Sequence, residues 1–81
     1  MKSEMMLEEA LRIVKNIIYE VNGTPVNNIN SGDSLITELA MDSVELIDLI
    51  IRLEESGIII KESQLSNALT VEQIANMLLT K

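Results

Sequence analysis

The sequence predicts a small all-α protein: a four-helix bundle of three main helices and one short helix, with a long loop between helices 1 and 2. Apolar residues recur at helical spacing in three separate windows. Capping chemistry or a glycine punctuates each window. The run Ile58-Ile59-Ile60 has strand character, but one isolated strand has nothing to pair with, so it reads as a buried linker. With 81 residues, 47% of them hydrophobic, the chain is too apolar for a disordered acidic tail, and a single domain over residues 1–81 is expected.

The first helix is expected over residues 3–20. Ser3 suits the N-cap, Glu4 the first turn, and Leu7, Ala10, Leu11, Val14, Ile17, Ile18 and Val21 form the apolar face. Asn22-Gly23 ends it and Pro25 forbids continuation. Residues 22–41 are rich in Asn, Ser, Gly and Asp, a connection long enough to need a function or a packed anchor. Val26, Ile29, Leu35, Ile36 and Leu39 are its apolar pegs, and a helical turn is expected near residues 34–38. The second helix spans residues 42–56. Asp42 followed by Glu45 forms a capping box, and Gly57 stops the helix. A short helical turn over residues 62–67 precedes the last helix, residues 70–79, with a Thr70…Gln73 box and Val71, Ile74, Ala75, Leu78 and Leu79 facing inward.

Composition excludes several functions. Thirteen acids against six bases give a net charge of −7, which opposes binding to nucleic acid or to an anionic membrane. With neither Cys nor His, the chain lacks a thiolate nucleophile, an imidazole base, a catalytic triad and the usual zinc ligands. The acidic N-terminus does not read as a signal peptide, and charged residues interrupt every long apolar stretch, so a cytoplasmic protein that is not an enzyme is expected. Asn28, Asn30, Asp33 and Glu38 invite a calcium reading, but aligning Gly32 with the obligatory loop glycine places Ile29 where an oxygen ligand is needed. No metal site is expected. Adjacent Glu54 and Glu55 point about 100° apart on a helix and read as a solvated face.

The second helix carries more apolar surface than a core needs. At about 100° per residue, Leu46, Leu49, Ile50 and Leu53 make one stripe, while Val44, Ile47 and Ile51 make another well over a right angle away. Glu45, Asp48, Arg52 and Glu55 fill the remaining surface, with Glu38 and Asp42 at the leading end. The second stripe is either a partner site rimmed by carboxylates or core covered by the first helix or the loop. Ser43 stands in the first turn of this helix. It is either an ordinary helix-start residue or a hydroxyl accessible to another enzyme, where an attached phosphate would meet the positive end of the helix dipole.

The stretch Asp42-Ser43-Val44-Glu45-Leu46-Ile47-Asp48-Leu49-Ile50, followed by Leu53-Glu54-Glu55, resembles the Asp-Ser-Leu helix of acyl carrier proteins. Length, acidity, element order and the tail from Gly57-Ile58 through Leu65-Ser66 to Leu69-Thr70-Val71 are also similar to that family. The resemblance implies a free-standing carrier, with 4′-phosphopantetheine joined to Ser43 by a magnesium-dependent phosphopantetheinyl transferase that draws on coenzyme A. Acyl or aminoacyl groups would ride on that arm as thioesters. The implied partner-binding set is Glu38, Met41, Asp42, Val44, Glu45, Ile47, Asp48, Ile51, Glu54 and Glu55, facing loading and condensing enzymes with basic docking surfaces. A monomer is expected, and Leu46, Leu49, Ile50 and Leu53 match interior residues that shelter acyl chains in some members. Val44 stands where Leu is commonest, Ala40 where Gly usually precedes the motif, and Lys61 where Pro is frequent; the aromatic residue before Gly57 is missing. These departures lean towards polyketide or nonribosomal peptide assembly over housekeeping fatty acid synthesis. The competing reading is an acidic helical adaptor that is never modified.

Overall fold

The computed structural model describes residues 6–80, with the side chains of Glu62 and Thr80 outside the description. Three helices form the body: α1 (Leu7–Asn22), α2 (Ser43–Glu55) and α3 (Val71–Thr80). The expected cap at Ser3 lies outside the described residues. Helix α1 instead begins after Met6, whose backbone N–H donates to Glu9 Oε1 at 3.3 Å. Its other end runs two residues beyond the expected boundary, to Asn22, and is closed by Gly23, which adopts φ 84° and donates its N–H to the Tyr19 carbonyl at 2.8 Å. Glycine is suited to that left-handed closure because it carries no Cβ.

Helix α1 is the central element and packs against both α3 and α2. Ala10, Val14 and Ile18 are buried along it, meeting Leu49 and Leu53 of α2 and Val71, Ile74, Ala75 and Leu78 of α3 in one core. Each fully buried Val, Ile or Leu among them contributes roughly 1.5–3 kcal/mol of transfer free energy. Leu46 and Ile50, placed with the inward stripe by periodicity, are half-buried; Leu79 on α3 is half-buried too.

The long connection is pegged as expected. Ile29, Leu35 and Leu39 are buried, and Val26 and Ile36 are half-buried. An unforeseen helical turn, Val26–Asn28, follows Pro25. The connection then runs beside the start of α3: Leu35 N–H donates to Leu69 O at 3.2 Å, Val71 N–H to Asp33 O at 3.1 Å, and Glu72 N–H to Ser31 O at 2.9 Å. The last two bonds use N–H groups at the α3 N-terminus that no intrahelical carbonyl can satisfy. The expected turn at 34–38 is present, with the Glu38 and Leu39 N–H groups both donating to Ser34 O. Ser34 itself is buried, and its Oγ accepts from the N–H groups of Ile36 and Thr37, both at 3.2 Å.

After α2, Gly57 takes φ 95° and the chain enters the isoleucine run, which forms no strand. Ile58 and Ile60 are buried and Ile59 is exposed, so the linker alternates even without a pairing partner. The fourth, minor helix is confined to one turn, Glu62–Gln64. The Thr70…Gln73 box forms with reciprocal bonds of 3.1 and 3.2 Å.

Candidate functional site

The second helix opens on its capping box. Asp42 adopts extended backbone, its Oδ1 accepts the Glu45 N–H at 2.9 Å, and its own N–H donates to Glu45 Oε1 at 3.3 Å. Both carboxylates are thereby turned onto the backbone of the first turn. Ser43, lying between them in sequence, is exposed, and its hydroxyl has no hydrogen-bond partner among the described residues. It stands at the helix start, where unpaired N–H groups and the dipole favour a negative group. An exposed, unengaged hydroxyl at that position fits attachment of a phosphate-linked arm.

Two features that the sequence does not announce hold this end in place. Asn22, read there only as a helix terminator, reaches across from α1. Its Nδ2 donates to Glu45 Oε1 at 3.1 Å and to the Leu39 carbonyl at 3.4 Å. It also accepts a hydrogen bond from Thr24 Oγ1. Ala40 adopts φ 53°, a left-handed conformation rare for a residue with a Cβ.

Met41 departs from its expected place. It is only 4% exposed and belongs to the core, not to the partner surface. Its N–H donates to Leu35 O at 3.0 Å, and with Ala40 in the left-handed region the chain folds this side chain beneath the loop.

Along the outer face of α2, Val44 is 75% exposed, Ile47 59% and Ile51 50%. Neither the first helix nor the loop covers them. Around this strip the acids are unequally engaged. Glu38 Oε1 accepts the Ser34 N–H at 2.6 Å and the Thr37 hydroxyl at 2.9 Å. These two bonds, the backbone one first, hold its carboxyl below the usual range. Asp48 Oδ1 accepts from Arg52 Nε at 3.1 Å, and Arg52 Nη1 reaches Glu20 Oε1 on α1, also at 3.1 Å. Glu54 and Glu55 are exposed, with no side-chain partner among the described residues.

Surface recesses among the described residues lie elsewhere. One of about 460 Å³ is bordered by Gln64, Leu69, Gln73 and Met77, another of about 250 Å³ by Leu11, Arg12, Lys15 and Val26. None of these is an expected site residue. Asn30 and Asp33, two of the oxygen donors in the calcium reading, close a turn on each other, with Asn30 N–H donating to Asp33 Oδ2 at 3.0 Å.

Residues 12–78 match the family model described as a phosphopantetheine attachment site, and they include Ser43 and the whole of α2. The chain is also 32% identical over 78 residues to an acyl carrier protein of Petrotoga mobilis, covering 95% of this chain and 92% of the relative. The chain belongs to the acyl carrier protein family. The arm that such a carrier bears is covalently attached 4′-phosphopantetheine, which supplies the thiol that a sequence with no cysteine lacks. As a carrier, the protein is all-α in its described residues, and none of its helices is long and apolar enough to cross a membrane.

Proposed function

We propose that Ser43 is the attachment point and that the outer face of α2 is the surface on which partner enzymes dock. The observation that carries the reading is the exposed Ser43 hydroxyl, left unengaged between two carboxylates that are both committed to the capping box. In the transfer, Ser43 Oγ attacks the β-phosphorus of coenzyme A and loses its proton. A phosphodiester forms and the diphosphate bond breaks, releasing adenosine 3′,5′-bisphosphate. The chemistry belongs to the transferase and its magnesium ion; Asp42, beside the serine, would help hold the cation through the carboxylate oxygen that the cap does not use. This chain's part is to present the hydroxyl on a rigid helix start: Asn22 ties that start to α1, and the capping box fixes the first turn.

Once modified, the protein acts as a non-catalytic shuttle. The arm holds acyl or aminoacyl intermediates as thioesters and carries them between loading and condensing enzymes in the cytoplasm. The aliphatic strip Val44, Ile47 and Ile51 supplies apolar contact, and the acids around it select partners with basic collars. Val44, Ala40 and Lys61, together with the missing aromatic residue before Gly57, support a carrier of polyketide or nonribosomal peptide assembly.

The test is intact mass after incubation with coenzyme A, magnesium and a promiscuous phosphopantetheinyl transferase. The expected result is a gain of one phosphopantetheine that Ser43→Ala abolishes. A gain that survives Ser43→Ala would move the attachment elsewhere, and no gain at all would leave the unmodified adaptor as the better reading.

A further inference from the structure

Within the docking face proposed above, we infer that Arg52 is a specificity-determining residue, masking Asp48 so that a basic partner is read mainly through Glu55 and Glu54. The inference rests on that reading of α2 and adds which of its acids are available.

Arg52 is the one cation on α2. At 3.6 residues per turn, Asp48 borders the Val44–Ile47–Ile51 strip and Arg52 lies about 40° further round, towards α1. The guanidinium uses two different nitrogens for two carboxylates, Nε for Asp48 and Nη1 for Glu20, each at 3.1 Å. Being anchored to a second helix distinguishes it from a lone i,i+4 surface pair. Glu20 restricts the long side chain from the α1 side, so Asp48 faces a cation that is already ordered.

All three groups remain solvent-accessible, with side-chain exposures of 39% for Arg52, 46% for Asp48 and 59% for Glu20. Exchange is therefore cheap enough for an incoming cation to compete, but not free. A lysine or arginine of a partner aimed at Asp48 must share it with Arg52 and meets the repulsion of that charge as well. A cation aimed at Glu55 need not share it, because that carboxylate has no partner among the described residues, and it meets a weaker repulsion, because the guanidinium is drawn back to Asp48 and across to Glu20. Arg52 would thus disfavour partners whose basic residues sit against the middle of α2 and favour those reaching its C-terminal end.

Kinetics of phosphopantetheine transfer test this, with the folded chain as substrate, coenzyme A saturating and the KM for the carrier as the readout. Arg52→Gln should lower that KM by about threefold, the scale of a partly exposed ion pair. Lys61→Ala makes the same change in net charge away from α2 and should leave KM unaltered, which separates a local effect from the overall field. Asp48→Asn should raise KM less than Glu55→Gln in the wild-type background, a comparison that leaves Arg52 in place. In the Arg52→Gln background the Asp48→Asn effect should grow to match that of Glu55→Gln. An unchanged or higher KM for Arg52→Gln would overturn the inference, as would an Asp48→Asn effect equal to that of Glu55→Gln in the wild type. If every variant gains one phosphopantetheine, the carrier reading stands whatever the KM pattern; failure of the wild type to gain it removes that reading instead.

Discussion

With docking placed on the outer face of α2 as proposed, that face and the loop between α1 and α2 invert the usual division of labour between irregular and regular structure. Loops carry function on most scaffolds, and this one is rich in the polar residues from which sites are built. Yet its polar groups are largely used within the chain: Ser34 on Ile36 and Thr37, Glu38 on Ser34 and Thr37, Asp33 on Asn30. The regular helix instead displays three aliphatic side chains that nothing in the described chain covers. The binding surface proposed for α2 is recognised by what the fold leaves without an internal partner, not by polarity or irregularity. Substitutions in the loop should therefore alter stability and leave docking intact, and substitutions on the outer face of α2 should do the reverse.

The largest expected effect is on docking. Ile47→Asp places a charge in the middle of the aliphatic strip. It should lower the efficiency of phosphopantetheine transfer on the order of tenfold, which corresponds to about 1.4 kcal/mol. Because Ile47 is exposed, thermal stability should change by no more than about 0.5 kcal/mol. A large loss of stability with transfer unchanged would assign Ile47 to the core and erase the contrast.

Next comes the loop. Ser34→Ala removes the acceptor for two backbone N–H groups at a buried position. It should cost about 1–2 kcal/mol in chemical denaturation, the range of a lost cap or an orphaned buried donor. Transfer to the fraction that remains folded should proceed at the wild-type rate. Ala40→Gly tests the same region in the opposite direction. The left-handed φ of 53° strains a residue with a Cβ by roughly 1–2 kcal/mol, and glycine returns about half of that as extra freedom of the unfolded chain. A net stabilisation of about 0.5–1 kcal/mol is expected, read from the denaturant midpoint. Destabilisation by glycine would mean that the alanine methyl makes contacts worth more than the strain.

How much of this contrast could be read from sequence depends on the range of the interactions involved. Helix α2 was legible from Asp42…Glu45 and Gly57 because a cap is decided within a few residues. Its two-sided apolar pattern was equally legible, but which stripe stays open was not, since that depends on where α1 and the loop pack. Asn22 is the clearest case. Its contacts lie 17 and 23 residues away, and nothing in Asn22-Gly23 distinguishes a tether from a terminator. Met41 fails for the same reason, its burial following from a backbone turn and from the Leu35 carbonyl. Ala40 occupies a place where the family resemblance expects glycine, so the backbone conformation persists without the residue that would ordinarily announce it.

The smallest effect concerns Glu38, an exposed acid of the expected partner-binding set that also makes hydrogen bonds within the loop. Hydrogen bonds from the Ser34 N–H and then the Thr37 hydroxyl stabilise its charged form and lower its pKa in the folded protein. The folded state therefore binds this proton less readily than the unfolded chain does. Its stabilising contribution is complete above the ordinary carboxylate range and is lost as pH falls through the lowered folded value. Glu38→Gln retains an oxygen acceptor for both donors but cannot titrate. Denaturant midpoints measured from neutral pH down to about pH 3 should fall more steeply for the wild type than for this variant, the two curves converging at the acid end. Parallel curves would show that the carboxylate is as free in the folded protein as in the unfolded chain. Glu38 would then belong with Glu54 and Glu55 among the acids available to a partner, and the loop would share in docking after all.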